Sequence, residues 1–185
     1  MRQIIVDKSI KRKRLVFKLN AELVFNYIIM YFMTYFLPAA SVDLIFFPSK
    51  YNQNHWSPTS NFIMLTIDAW LLLGLYLTNK LILFKGTAFD ENKSVIKEVL
   101  KYKYPKFELS ENLNIIKYGR KVEDWNRGKL ITVILNDDYL YINMLSTYRG
   151  GQFSSFNGLA NYFRCRSIIK SFKLALQNYS YGNNT

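Results

Sequence analysis

Two long apolar stretches organise this chain: LVFNYIIMYFMTYFLPAASV, from Leu23 to Val42, and FIMLTIDAWLLLGLYLTNKLILF, from Phe62 to Phe84. Each is long enough for a helix to cross the hydrocarbon core of a bilayer, which takes about 20 residues. Together they predict a transmembrane hairpin. The expected fold class is therefore an α-helical membrane hairpin of two transmembrane helices, followed by a small α+β cytoplasmic module with a β-hairpin and a C-terminal helix.

The distribution of basic residues predicts the orientation of this hairpin. The chain has 185 residues, and 25 Lys and Arg against 13 Asp and Glu give a formal net charge of +12. Basic residues precede the first stretch and end the second, whereas Lys50 is the only Lys or Arg in residues 43–61. By the positive-inside rule, residues 43–61 face outward and both termini are cytoplasmic.

Three segments follow from this arrangement: a basic cytoplasmic arm over residues 1–18, the two-helix transmembrane hairpin over residues 19–85, and a cytoplasmic α+β module over residues 86–185. A signal peptide is rejected, because the first apolar stretch is too long for a signal core and a second crossing follows. Basic side chains next to a membrane attract anionic lipid headgroups. The residues expected to face lipid in this way are Lys11, Arg12, Lys13 and Arg14.

Polar residues inside the two stretches are the candidates for partner contact. Tyr27, Tyr31 and Tyr35 recur every four residues, so they share one helix face, with Thr34 beside them. Such a stripe is typical of a helix-packing seam, and the alternative is a docking face for another membrane protein. Asp68 would lie roughly 9 Å inside the bilayer at 1.5 Å of helix rise per residue. Placing a charged carboxylate at that depth is energetically unfavourable. Three interpretations stay open: a hydrogen bond to the stripe, a polar contact with a partner, or an ion relay.

The C-terminal module shows alternating strand-like and helical patterns. Two β-rich runs around the turn Asn136–Asp138 predict a β-hairpin, with the adjacent aspartates as solvated turn residues. Asp90 or Asn92 is expected to cap a helix that Pro105 cannot continue. The elements predicted are a helix from about Lys93 to Tyr102, a strand within Phe107–Ile116, hairpin strands Leu130–Leu135 and Tyr139–Leu145, and a helix from Asn157 to about Gln177.

Motifs for catalysis are missing from the sequence. It contains no HExxH, CxxC, GxSxG or Walker pattern, and it has one histidine, His55, and one cysteine, Cys165. The carboxylates are scattered, so no metal site, cofactor or catalytic residue is predicted. Cys165 is expected to be a buried, inert thiol. A binding or structural protein, rather than an enzyme, is the expected class.

The segment ILNDDYLYINMLSTYRGGQFSSFNGLANYFRCRSIIKSFK, from Ile134 to Lys173, combines a hairpin, a loop with Arg and Gly, and an aromatic, basic helix. It resembles the C-terminal part of small two-helix membrane proteins encoded beside bacterial secreted or contact-delivered toxins, a loose group of immunity-type proteins. The resemblance implies a multi-pass protein of the bacterial inner (plasma) membrane that binds and neutralises a cognate toxin. No residue in the segment is diagnostic of chemistry.

Two functions are carried forward. An immunity protein would contact a membrane-inserting toxin through the tyrosine stripe and Asp68. It would contact a cytoplasmic toxin through the β-hairpin and the loop that contains Arg149 and Gln152. The alternative is a structural subunit of a larger membrane assembly, such as a secretion, transport or phage-defence complex. Homo-oligomerisation stays open, and nucleic acid is disfavoured because lipid already accounts for the basic charge. The membrane-embedded contact residues would be Tyr27, Tyr31, Thr34, Tyr35 and Asp68.

Overall fold

The computed structural model describes residues 3–19, 21–46, 58–119, 128–147, 154 and 156–182. These ranges contain five helices and five strands. In chain order the elements are α1 (Val6–Arg12), α2 (Ala21–Phe46), α3 (Pro58–Thr78), β1 (Ile82–Lys85), α4 (Phe89–Lys103), β2 (Glu108–Asn112), β3 (Ile115–Gly119), β4 (Gly128–Asn136), β5 (Tyr139–Thr147) and α5 (Gly158–Gly182).

The five strands form one antiparallel sheet in the order β1-β5-β4-β3-β2. Its centre is the hairpin of β4 and β5, in register from Asn136 opposite Tyr139 to Gly128 opposite Thr147. Asp137 at the turn has a φ of 52°, a left-handed conformation that Asp tolerates better than most residues. The predicted β-hairpin is therefore confirmed.

Both faces of this sheet are covered, because alternate residues of β4 and β5 point to opposite sides. On the first face, helices α4 and α5 pack against the strands. The Phe84 and Phe172 rings make a T-shaped contact in this layer, with their centroids 5.6 Å apart. The fully buried core residues here include Ile96, Leu100, Val133, Ile142, Ile168 and Phe172.

The second face is covered by the N-terminal arm. Ile4, Leu15 and Phe17 are buried in one cluster with Ile134 and Leu145. Ser9, fully buried in α1, locks this layer: its hydroxyl donates to the Ile5 carbonyl at 2.7 Å and accepts the Val16 N–H at 2.9 Å. The arm is thus a layer of the folded protein, and its exposed basic side chains are those of Lys8, Lys11, Arg12, Lys13 and Lys18 among the described residues.

The expectation of a membrane hairpin with two transmembrane helices is wrong. Among the described residues one helix, Thr59–Thr78, is long and apolar enough to cross a membrane, a finding that rests on length and composition alone. The second apolar stretch ends as a helix at Thr78, and its last residues form β1, with Ile82 opposite Ile142. A buried strand and a membrane helix use the same residue types. The structure is an α+β fold built on a five-stranded antiparallel sheet.

The other predicted elements are present with shifted boundaries. The helix expected from Lys93 to Tyr102 is α4, which begins earlier, at Phe89. Asn92 lies inside its first turn, and its side chain bonds back to Thr87: the Thr87 N–H donates to Oδ1 and Nδ2 donates to the Thr87 carbonyl, both at 2.9 Å. The region after Pro105 supplies two strands, β2 and β3, and the C-terminal helix is α5.

Candidate functional site: an apolar helix pair with a polar seam

Helices α2 and α3 pack together and bury several polar side chains. Asp68 lies two turns before Leu75, so both lie on one face of α3. Leu75 packs in the same cluster as Tyr27 and Met30 of α2. The face of α3 that carries Asp68 is therefore turned toward α2. The buried polar residues of the two helices are Thr34, Ser41, Asp68 and Thr78.

The outward faces of the same helices are apolar and exposed. This is the reverse of the usual pattern for a helix at a protein surface, where polar residues face water. Contiguous apolar surface of this kind marks a site for another macromolecule or a membrane. The exposed large side chains on α2 and α3 include Phe25, Ile28, Phe32, Phe36, Phe62, Ile63, Leu65, Ile67, Leu72 and Leu73.

The three tyrosines of α2 form a continuous column of rings, as their spacing predicts. The Tyr27 and Tyr31 ring centroids are 6.4 Å apart, and Tyr31 and Tyr35 stack at 6.1 Å with an interplanar angle of 11°. Tyr31 is 47% exposed and Tyr35 is 57% exposed. Tyr27 is half-buried at the inner end, where its hydroxyl accepts a hydrogen bond from Asn79 Nδ2 at 3.2 Å. We call Tyr31 and Tyr35 the tyrosine face.

The other two predicted contact residues of the helix pair point inward. Thr34 is 1% exposed and Asp68 is 7% exposed. Asp68 Oδ2 is buried without a hydrogen-bond partner, a situation that costs roughly 1–3 kcal/mol for a buried polar group. The structure thus divides the five predicted residues of the helix pair into the outward tyrosine face, the half-buried Tyr27, and the inward pair of Thr34 and Asp68. The two loop residues, Arg149 and Gln152, lie outside the described residues.

The inner end of α3 is fixed to the sheet and to the arm. Asn143 of β5 is 2% exposed, and its Nδ2 donates to the Thr78 carbonyl at 3.0 Å and to the Lys80 carbonyl at 2.8 Å. The Leu15 N–H donates to the Asn79 carbonyl at 2.8 Å. The bond to Thr78 satisfies a carbonyl that the end of α3 leaves free, and the other two bonds hold the residues that follow the helix. The apolar helix pair is therefore held firmly at its base.

A close crossing also joins α3 to α5. A side-chain carbon added at Gly158 would overlap the backbone carbonyl of Gly74, so the two backbones touch at this point. Nearby, Trp70 Nε1 donates to the Phe156 carbonyl at 3.1 Å. Glycine is used here because a close backbone approach leaves no room for a side chain.

The basic residues expected to face lipid are divided by the structure. Lys11, Arg12 and Lys13 are exposed, whereas Arg14 is half-buried and reaches the end of α3. An Arg14 guanidinium nitrogen donates to the Tyr76 carbonyl at 2.7 Å, and Arg14 Cζ lies 4.7 Å from the Tyr76 ring centroid. Sequence reasoning missed this contact, because the two residues are far apart in the chain and share no motif.

Reactive groups are not assembled in the described part of the chain. No group of three or more His, Cys, Asp or Glu side chains there could hold a metal ion. Cys165 is 2% exposed, and burial raises the pKa of its thiol to about 12. A thiol of that pKa is not a nucleophile near neutral pH.

A surface cavity of about 450 Å³ lies between the arm and the turn of β2 and β3. Its lining includes Ile4, Asp7, Asn112 and Lys117. Burial lowers the pKa of the Lys117 ammonium. This volume is sufficient for a small ligand, and its lining includes the carboxyl group of Asp7 and the amino group of Lys117.

Comparison with models of known protein families finds no match to the chain, and neither does comparison with curated proteins or with solved structures.

Proposed function

We propose that this protein is a membrane-associated immunity protein, which binds a cognate toxin through the outer surface of α2 and α3 and thereby neutralises it. The observation that carries the proposal is the exposed apolar surface of these two helices, which surrounds a polar seam. Leaving so many large apolar side chains in water is unfavourable, at about 25 cal/mol per Å². A lipid environment and a protein partner each remove that cost.

The tyrosine face is the part of this surface that we assign to the protein partner. Tyrosine supplies a large, rigid contact area at low entropic cost, together with a hydroxyl that can hydrogen-bond across an interface. The rings of Tyr31 and Tyr35 already stack on each other in the isolated chain. Less conformational freedom is therefore lost when a partner packs against them.

The purely apolar remainder is the part that we assign to lipid. Side chains such as Phe62, Ile63 and Leu65 on α3 offer no hydrogen-bonding group to a partner. They belong to the one described helix that is long and apolar enough to cross a membrane. Trp70 and Tyr76, lower on α3, have the amphipathic rings that are enriched at membrane–water interfaces.

A matched pair of variants tests the role of the tyrosine face. Phe32 and Phe36 form a second stacked pair on α2, with ring centroids 5.1 Å apart, and they are 59% and 56% exposed. Y31A/Y35A and F32A/F36A therefore remove similar aromatic areas from adjacent positions. Tagged wild type and both variants are purified from membranes of the native cells in mild detergent, and co-purifying proteins are identified by mass spectrometry.

The expected result is one dominant partner that is toxic when expressed alone and harmless when the wild type is co-expressed. Y31A/Y35A should lose both recovery of the partner and protection, while F32A/F36A keeps them. Equal losses in the two variants would contradict a specific tyrosine face. Several membrane proteins recovered in a fixed ratio, with none of them toxic, would replace the proposal with the assembly-subunit function.

A further inference from the structure

Two cationic side chains converge on the ring of Tyr76 at the inner end of α3. Arg14 Cζ lies 4.7 Å from the ring centroid, and Lys80 Nζ lies 5.5 Å from the same centroid. Lys80 Nζ is also 5.6 Å from the Tyr162 ring of α5. Cation–π contacts act within about 6 Å of a ring. We call Arg14, Tyr76, Lys80 and Tyr162 the basic cluster.

The backbone holds this cluster together. Arg14 and Lys80 face each other across an isolated antiparallel bridge. On either side of it, the Leu81 N–H donates to the Lys13 carbonyl at 3.0 Å and the Leu15 N–H donates to the Asn79 carbonyl at 2.8 Å. Two like charges are thus kept as neighbours by the fold, although they repel each other.

The charges in the basic cluster are not balanced within the described part of the chain. No described carboxylate forms an ion pair with Arg14 or Lys80, whereas Lys85 pairs with Asp138 and Lys93 pairs with Glu111. The Arg14 side chain uses one donor on the Tyr76 carbonyl, and a guanidinium carries five N–H donors. Lys80 contributes three more. Donors therefore remain for an external anion.

The position of the basic cluster indicates which kind of anion it would bind. Tyr76 lies at the end of the apolar surface of α3, and the residue is 55% exposed. Arg14 and Lys80 lie beside it, at the boundary between this apolar surface and the sheet. A phosphate group of a lipid whose chains contact α3 would lie at this level.

We propose that the basic cluster binds the phosphate group of an acidic phospholipid. The Arg14 guanidinium donates two parallel N–H bonds to two phosphate oxygens, and the Lys80 ammonium neutralises further charge. This inference rests on the membrane association proposed above. It adds one discrete site on the protein to the general attraction between basic residues and anionic lipid.

The test measures binding of short-chain lipids to the full chain in a neutral detergent by native mass spectrometry. The probes are dioctanoyl phosphatidic acid, dioctanoyl phosphatidylcholine and inorganic phosphate as a competitor. We expect wild type to prefer phosphatidic acid, and R14Q/K80Q to bind it at least about tenfold more weakly, since each hydrogen bond to a charged group contributes a factor of this order. The control K8Q/K11Q removes the same charge from exposed positions of α1 and should change binding less than about twofold.

Two further variants separate binding from folding. K80Q leaves the Arg14 hydrogen bond intact, and R14K keeps the charge but loses the planar fork. Both should bind phosphatidic acid more weakly than wild type and more tightly than R14Q/K80Q. An equal loss in K8Q/K11Q and R14Q/K80Q would overturn the discrete site in favour of diffuse attraction.

The remaining outcomes assign the source of the phosphate and separate this inference from the immunity function. Displacement of phosphatidic acid by an equal concentration of inorganic phosphate would overturn the lipid assignment in favour of a soluble ligand. Recovery of the toxin partner together with equal binding of both lipids would overturn this inference alone. Preference for phosphatidic acid without a toxin partner would uphold it while the immunity function fails.

Discussion

Replacement of Asn143 by alanine should release the inner end of α3 from the sheet. The substitution removes the two hydrogen bonds that Nδ2 donates to the Thr78 and Lys80 carbonyls. The bond to Thr78 is buried and the bond to Lys80 is partly buried. Leaving these carbonyls unsatisfied costs about 1–3 kcal/mol for the buried one and about 0.5–1.5 kcal/mol for the other.

Part of this loss is offset. Asn143 Oδ1 is itself buried without a partner, and its removal restores roughly 1 kcal/mol. We therefore expect a net destabilisation of about 0.5–3.5 kcal/mol, and each kcal/mol lowers the Tm of a chain of this size by about 2–4 °C. Tryptophan fluorescence during thermal unfolding in a neutral detergent measures this shift.

Thr132 provides a matched control with the opposite expected sign. It lies directly opposite Asn143 in the sheet, it is fully buried, and its Oγ1 has no hydrogen-bond partner. T132V removes this hydroxyl while keeping the branched shape, so the variant should be more stable by roughly 1 kcal/mol. Equal destabilisation by N143A and T132V would refute the hydrogen-bond reasoning, because it would show that any change at this layer has the same effect. An unchanged Tm for N143A would refute it as well.

Three further predictions concern other positions. G158A should weaken the crossing of α3 and α5 at Gly74, by at least about 1–3 kcal/mol for overpacking, and hydrogen exchange of α3 should rise, whereas unchanged exchange would argue against a tight crossing. Cys165 should react with a thiol reagent only after unfolding. Burial raises the pKa of its thiol to about 12, so the thiol ionises first in the unfolded chain and stability should fall as the pH rises above about 9. In denaturant titrations at pH 8 and pH 10, C165A should lose less stability than wild type; the remaining loss comes from Tyr104, Tyr118 and Tyr141, whose pKa values burial also raises. Leu113 has a φ of 47° and is 84% exposed, so L113G should relieve strain at this turn and raise the free energy of unfolding by a few tenths of a kcal/mol or more. Urea denaturation detects this gain as a higher midpoint, and a lower midpoint would contradict strain at this turn.

Local patterns in the sequence were sufficient to predict the elements of the C-terminal part of the fold. The turn Asn136–Asp138 lies between two β-rich runs, and hairpin pairing depends only on neighbours in the chain. The apolar periodicity of Val95, Ile96 and Val99 likewise predicts a helix face, and all three are buried. The column of tyrosine rings on α2 could be predicted for the same reason, since it depends only on the helical repeat.

The apolar stretches were misinterpreted because an apolar sequence does not show whether lipid or protein covers its side chains. Leu71, Leu77 and Leu81 have the composition of a membrane helix, yet each is buried in the protein. Hydropathy also does not locate the boundary between an apolar helix and an apolar strand that follows it. The residues of β1 were therefore included in the predicted second crossing. The burial of Ile4 and Leu15 could not be predicted, because the lysines and arginines around them in the sequence indicate an exposed arm.

The candidate sites were predicted only in part, for a related reason. Spacing along one helix placed Tyr31 and Tyr35 together. The inward position of Asp68 depends on how two helices pack, and the approach of Arg14 to Lys80 depends on a bridge between distant segments. Long-range pairings of this kind have no local sequence signal.

The strand order has a consequence for synthesis of the chain. Among the described strands, β1 pairs only with β5. Ile82 therefore cannot pair with Ile142 until the ribosome has added a further 60 residues. At a translation rate of about 5–20 residues per second, this delay lasts roughly 3–12 seconds. During that time α2 and α3 have emerged without the sheet and α5, which later bury their inner ends. The apolar helices of the nascent chain are therefore exposed before the sheet can form, and we expect a bilayer or a chaperone to capture them early.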